Sequence, residues 1–239
     1  MKIVFLGAGA LGCTIGAALT EGGHEIWLIN RSAAHVRAMV RDDVKVDDER
    51  GPRYVKVRAT TNPADVGPAD LVVVLVKSLH TDSAMRGALA LIGPDTLVLS
   101  MQNGLGHEEV LSGIVGRERV LAGKTYVGGV LLAPGHVQSR VEGKLTVIGE
   151  LNGELTPRLR AISNAFNGAG LPTTISHNIL GTMWDKLLVN VATGALTGVT
   201  RLTYGKLYDE PVLKATSLAA VEEAMATALA AGITLSITG

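Results

Sequence analysis

Lys2-Ile3-Val4-Phe5-Leu6 runs directly into Gly7-Ala8-Gly9-Ala10-Leu11-Gly12, and a stretch of small, helix-compatible residues from Leu11 to Leu19 follows. An apolar, β-branched run thus meets a G-x-G-x-x-G turn that opens into a helix. Each glycine has a separate task in such a unit. Gly7 permits the tight turn out of the strand, Gly9 leaves the backbone open to a pyrophosphate, and Gly12 lets the helix lie close to the sheet. The helix N-terminus then offers unpaired N–H groups and the positive end of its dipole to the phosphates. The pattern alone recurs by chance in a chain with 29 glycines. Its position between a strand and a helix makes it a dinucleotide site formed by Gly7, Ala8, Gly9, Ala10, Leu11 and Gly12.

The next unit bears on which nucleotide. Residues 25–29 read as a second strand, and Asn30 stands just beyond it, 18 residues after Gly12. NAD-preferring sites carry Asp or Glu near this point to hold the ribose 2′-hydroxyl. Asn30 is neutral, and Arg31 beside it has the planar fork that suits a phosphate. NADP is the expected cofactor, with Arg31 on its 2′-phosphate; the plainer reading of Arg31 is a surface arginine after a strand. Arg37 either adds charge or is simply solvated.

Composition narrows the classes. Lys plus Arg and Asp plus Glu balance at 22 each, so no net field points to nucleic acid or an anionic membrane. The single Cys13 cannot close an internal disulfide and suits a reducing compartment. Residues 1–19 imitate a signal peptide, but glycines interrupt them and cleavage would delete the first strand. No stretch of about 20 unbroken apolar residues is present to span a bilayer. A cytoplasmic protein is expected, with no metal, since the six histidines show no ligand spacing.

Further strands are expected at 71–76, 96–101 and 120–125, with helices after Gly12, at 32–41 and at 83–91. The unbroken apolar run Leu71-Val72-Val73-Val74-Leu75-Val76 indicates burial on both faces and a parallel sheet. Residues 42–61 read as a short hairpin or an irregular connection. Runs at 137–141 and 145–148 suggest an antiparallel meander extending the sheet. A helix from Thr156-Pro157 and a last strand at 172–176 complete an α/β Rossmann domain over 1–177. Helical patterns at 180–191 and 211–231 then define an all-α unit over 178–239.

Three polar elements interrupt apolar context where an open α/β sheet holds ligands, or where one helix face turns polar. Lys77-Ser78 ends the third strand, and reads equally as a solvated cap. Gln102-Asn103-Gly104 ends the fourth, and reads equally as a common turn. In Trp184-Asp185-Lys186, Lys186 stands four residues before Asn190, so both share one helical face, at a cleft or at a solvated edge.

Taken together, GAGALG, Asn30-Arg31, Val76-Lys77, Met101-Gln102-Asn103-Gly104 and Trp184-x-Lys186-x-x-x-Asn190 resemble the ketopantoate reductase (2-dehydropantoate 2-reductase) family over essentially the whole chain. The resemblance implies a Rossmann domain, a helical domain, and NADPH-dependent reduction of 2-dehydropantoate to (R)-pantoate, a step toward pantothenate and coenzyme A. By position it implies that Arg31 contacts the 2′-phosphate and that Lys77 and Asn103 line the cofactor and substrate cleft. It further implies that Lys186 is the general acid and that Asn190 orients the small 2-keto acid. An ammonium beside a keto oxygen both stabilises developing charge and delivers the proton. The family pattern departs at Gly194, where a second asparagine is usual. It also runs on to a Ser-Ser-Met-x-x-Asp segment and a substrate-binding glutamate; this sequence ends at Gly239 before either, so the helical domain reads as truncated. The apolar stripe within 211–231 would then seek a second copy, giving a homodimer. Two other readings stay open: a related two-domain dehydrogenase of the 3-hydroxyisobutyrate or glycerol-3-phosphate type, and an NADP-binding module without turnover.

Overall fold

In the computed structural model, which describes residues 1–236, Leu75 donates its amide to the Leu6 carbonyl at 2.9 Å, the last rung between two central strands. Those strands are β1 (Lys2–Leu6) and β6 (Leu71–Val74). Between them in sequence come α1 (Ala10–Glu21), β2 (Glu25–Ile29), α2 (Ala33–Asp42), β3 (Val44–Asp48), β4 (Gly51–Val55) and β5 (Arg58–Thr60). After them come α3 (Thr81–Arg86), β7 (Leu97–Ser100), α4 (His107–Val115), β8 (Val120–Thr125), β9 (Gly128–Ala133), β10 (His136–Arg140), β11 (Thr146–Glu150), α5 (Pro157–Gly168) and β12 (Thr173–Ile175). The chain divides into Met1–His177 and Asn178–Gly239; positions 237–239 of the expected helical unit lie outside the described residues. The second unit holds α6 (Ile179–Thr200), α7 (Tyr204–Asp209) and α8 (Pro211–Ala230).

The main sheet has the order β12-β11-β8-β7-β6-β1-β2-β5, parallel from β5 to β8, with β11 antiparallel to β8. Side chains alternate between its faces. Ile3 and Phe5 join one buried cluster with Ile15, Leu28 and Phe166; Val4 and Leu6 join another with Val72, Val98 and Leu111. Each such side chain, fully withdrawn from water, contributes ~2 kcal/mol. The strand order reverses at β1, which leaves a crevice beyond its C-terminal end between β2 and β6. Open α/β sheets bind ligands at such a point.

Two expectations are corrected. The runs at 137–141 and 145–148 do not form one meander on this sheet: only β11 joins it, while β9 and β10 build a separate four-stranded sheet, β4-β3-β10-β9. The reason lies in α1, whose residues from Gly12 to Leu19 are all buried. A helix apolar on every side must be covered on every side, and β9 and β10 cover the flank that the main sheet leaves open. The charged segment 42–61 supplies the β3–β4 hairpin of that second sheet and, in β5, an edge strand of the first. The helix expected at 83–91 stops at Arg86 because Gly87 caps it, and a 3-10 turn, Leu89–Leu91, follows. Among the described residues no helix is long and apolar enough to cross a membrane.

In the second unit α6 packs against α8, and the buried Ser217 hydroxyl donates to the Ala192 carbonyl at 2.7 Å. Hydroxyls of Thr193, Thr197 and Thr200 donate one turn back along α6. The helix ends where Arg201 takes a left-handed conformation (φ 59°).

A buried histidine ties the second sheet to the glycine turn. His35 Nε2 donates to the Ala8 carbonyl at 3.0 Å, and Nδ1 accepts from the Gly135 amide at 2.9 Å. Only the neutral ring satisfies both partners, and burial holds its pKa below the ordinary value. A base depressed in the fold binds more protons unfolded, so this stability is complete above about pH 6.5, the unfolded value, and falls as pH drops toward the folded one. His24 and His107, also depressed by burial, act with the same sign. Denaturant midpoints should therefore fall between pH 7 and 5. His35→Gln, which offers one donor and one acceptor without titrating, should show a shallower fall; an unchanged slope would show that His35 does not set it.

Candidate active site

The turn after β1 is fixed by backbone contacts. The Gly7 and Ala8 amides both donate to the Ile29 carbonyl, at 3.1 and 2.8 Å, and Gly9 donates to the Gly7 carbonyl at 2.8 Å. Gly7 has φ 107°, and a Cβ there would lie 2.6 Å from the Val76 nitrogen. A Cβ on Gly12 would lie 2.9 Å from the Gly7 carbonyl oxygen. Gly9 differs: nothing lies within 4 Å of where its Cβ would be. The protein therefore needs glycine at 7 and 12 for its own packing, whereas the space at Gly9 is open to a ligand. Gly9 caps α1 without any side-chain hydrogen bond, so the first helical amides point outward unpaired. This cradle fits a pyrophosphate.

A cavity of about 450 Å³ extends from the turn toward β2, lined by Gly9, Asn30, Arg31, Pro63, Lys77 and His80 among others. Asn30 spends its side chain on the loop: Nδ2 donates to the Ala8 carbonyl and Oδ1 accepts from the Ser32 amide, both at 2.8 Å. Arg31 reaches the far wall, its Nη1 donating to His80 Nε2 at 3.2 Å. Arg37 is exposed on α2 and does not line the cavity.

A second cavity of about 590 Å³ runs the other way, lined by Gly7, Gly9, Ala10, Leu11, Gly12, Lys77, Asn103 and Gly129 among others. Gly7, Gly9, Leu75, Val76 and Lys77 line both, so the two form one groove along the ends of the parallel strands. Lys77 lies on the stretch that leaves β6, and Asn103 on the loop after β7. Their neighbours hold that stretch in place. The Gln102 amide donates to the Val76 carbonyl and to the Thr81 hydroxyl, each at 2.8 Å. The buried His107 ring bonds the Ser78 hydroxyl through Nε2 at 3.0 Å, and burial lowers its pKa. Gln102 thus holds the Val76 backbone before Lys77, and His107 holds the Ser78 side chain after it.

Of the remaining site residues expected from sequence, Lys186 and Asn190 lie one turn apart on α6, Lys186 half-buried and Asn190 exposed. Sequence reading passed over His80, His107 and Gly129. Gly129 is the second glycine of the Gly128-Gly129 pair that opens β9, and a Cβ on it would lie 2.7 Å from the Thr14 hydroxyl of α1. The other two are lone histidines, meaningful only once the fold brings their partners near. Cys13 is buried with its thiol pushed up to about 12, which makes it a packing residue. Among the described residues no group of acidic, histidine or cysteine side chains has the arrangement of a metal site.

Residues 3–153 match the family model for ketopantoate reductase PanE/ApbA, and residues 178–238 match the model for its C-terminal part. A curated 2-dehydropantoate 2-reductase from Halobacterium salinarum is 34% identical over 237 residues, 99% of this chain and 78% of that protein. The crystal structure of a PanE/ApbA family ketopantoate reductase from Ralstonia eutropha JMP134 is similar with TM-score 0.90 and 34% identity, covering 99% of this chain and 77% of that one. D-mandelate dehydrogenase, in its ternary structure with NADH and anilino(oxo)acetate, shares the fold with TM-score 0.91 at 24% identity, covering 99% of this chain and 76% of that one. The chain belongs to the ketopantoate reductase family, oxidoreductases that work with a nicotinamide cofactor.

Proposed function

We propose that the protein reduces 2-dehydropantoate to (R)-pantoate with NADPH, toward pantothenate and coenzyme A. The observation that carries this reading is the continuous groove from Arg31, past the Gly7–Gly12 turn, to Lys77 and Asn103, in a chain that matches the reductase family in both units. The open space at Gly9 and the outward amides of α1 receive the pyrophosphate. Arg31 reads the 2′-phosphate, since among the described residues its guanidinium meets no carboxylate in the cavity lining and Asn30 repels no anion. Lys77 and Asn103 border both the cofactor and the 2-keto acid. NADPH, when bound, supplies the hydride.

The remaining chemistry falls to α6. Hydride arriving at the keto carbon leaves an alkoxide on its oxygen. The Lys186 ammonium stabilises that charge and donates the proton that completes the hydroxyl, then recovers one from solvent. Asn190, on the same helix face, orients the substrate by hydrogen bonding. A lysine gives up its proton in this role more readily than an arginine.

Two measurements follow. Gly9→Ala should fold like the parent protein, because no protein atom opposes the new methyl, yet bind NADPH more weakly by about 1–3 kcal/mol, the usual cost of overpacking. Gly7→Ala should instead lower stability, by about 2–4 kcal/mol, from positive-φ strain and the clash with Val76. If both variants lose stability alike, Gly9 is not the ligand's position. In an assay of NADPH oxidation with 2-dehydropantoate, Lys186→Ala should slow turnover by about 10²–10⁴ with NADPH affinity retained, and Lys186→Arg should not restore it. Near-normal turnover in the alanine variant would remove Lys186 from the mechanism.

A further inference from the structure

We propose that His80 is a second determinant of cofactor choice, forming with Arg31 a two-sided clamp for the 2′-phosphate; this rests on the NADPH reading above. The two side chains come from different walls of one cavity. Arg31 follows β2, and His80 ends the 3-10 turn Ser78–His80 after β6. Their contact at 3.2 Å joins a side chain that can only donate to a ring nitrogen that must accept. A carboxylate in that place would neutralise Arg31 and compete with an incoming phosphate. An imidazole accepting through Nε2 holds the guanidinium in position and, unlike a carboxylate, brings no negative charge to it.

The rest of the lining has the same sense. Among the described residues, Arg31, Lys77 and His80 are its only ionisable side chains, with no Asp or Glu beside them. A phosphate monoester entering here accepts from Arg31 on one side. His80 then exchanges its contact with Arg31 for one to the phosphate, donating Nε2–H from the other side in the tautomer that carries the proton on that nitrogen. A plain ribose hydroxyl carries no charge and gains little from either. The backbone of His80 is already fixed, its amide donating to the Lys77 carbonyl at 2.7 Å and its carbonyl accepting from the Ser83 hydroxyl at 3.3 Å. The side chain can therefore be changed without disturbing the turn that presents it.

Calorimetric titration of the 239-residue chain with NADPH and with NADH tests this, using wild type, His80→Ala, His80→Lys and Arg31→Ala. His80→Ala should weaken NADPH binding about tenfold, the scale of a hydrogen bond to a charged group, and leave NADH unchanged. His80→Lys, which still offers a donor to the phosphate, should retain the preference for NADPH. Equal losses of both nucleotides in His80→Ala, or no loss of either, would overturn the assignment of His80. If the preference disappears in Arg31→Ala but survives in His80→Ala, the NADPH reading stands and only the clamp falls. A wild-type protein that binds NADH as tightly as NADPH would overturn both.

Discussion

The close approach of two backbones, Gly7 against Leu75–Val76, is the constraint on which the site depends. A Cβ at Gly7 would stand 2.6 Å from the Val76 nitrogen and 2.7 Å from the Leu75 carbonyl carbon, so β1 and β6 can meet at the strand reversal only if this residue is glycine. That contact brings the glycine turn and the Lys77 stretch to the same crevice. It also sets the direction of α1, because the turn's next close contact, Gly12 against the Gly7 carbonyl, begins the helix beside it. Packing and ligand binding here draw on one set of glycines with separate tasks.

The Ala8 carbonyl is the second fixed point. It accepts from Asn30 Nδ2 and from His35 Nε2, so the end of β2 and the start of α2 both fasten to the glycine turn. This explains why the position after β2, where a carboxylate would hold a ribose hydroxyl, is filled by an amide. Asn30 shapes the loop, and in the proposed NADPH site the choice of nucleotide falls to the residues beyond it. On the opposite wall Gln102 and His107 fasten the Lys77 stretch, through the Val76 carbonyl and the Ser78 hydroxyl respectively.

Much of the fold was legible because its signals are local. The runs at 3–6, 26–29 and 71–74 are apolar on both faces, and the glycine turn has a fixed spacing, so strand, turn and helix follow from neighbours in sequence. The second sheet was not legible. Its strands come from residues 44–55 and 128–140, and their pairing is decided by the need of α1 for cover on its far side, a tertiary demand that no local pattern carries. The site divides in the same way. Lys77 and Asn103 stand out as polar residues ending apolar strands, and the structure brings them into one groove with the glycine turn. His80 and His107 have no such setting. Their partners, Arg31 and Ser78, lie 49 and 29 residues away, and only the folded sheet makes them neighbours.

In the proposed complex a single groove holds NADPH in one orientation, with its pyrophosphate on the Gly9 side of the turn and its adenosine toward Arg31. A crystal structure of the protein with NADP⁺ bound tests it most directly. The pyrophosphate should lie against the first amides of α1, the 2′-phosphate within hydrogen-bond reach of Arg31, and the nicotinamide toward Asn103. A cofactor bound away from Gly9, or one whose 2′-phosphate faces solvent with Arg31 turned aside, would contradict it.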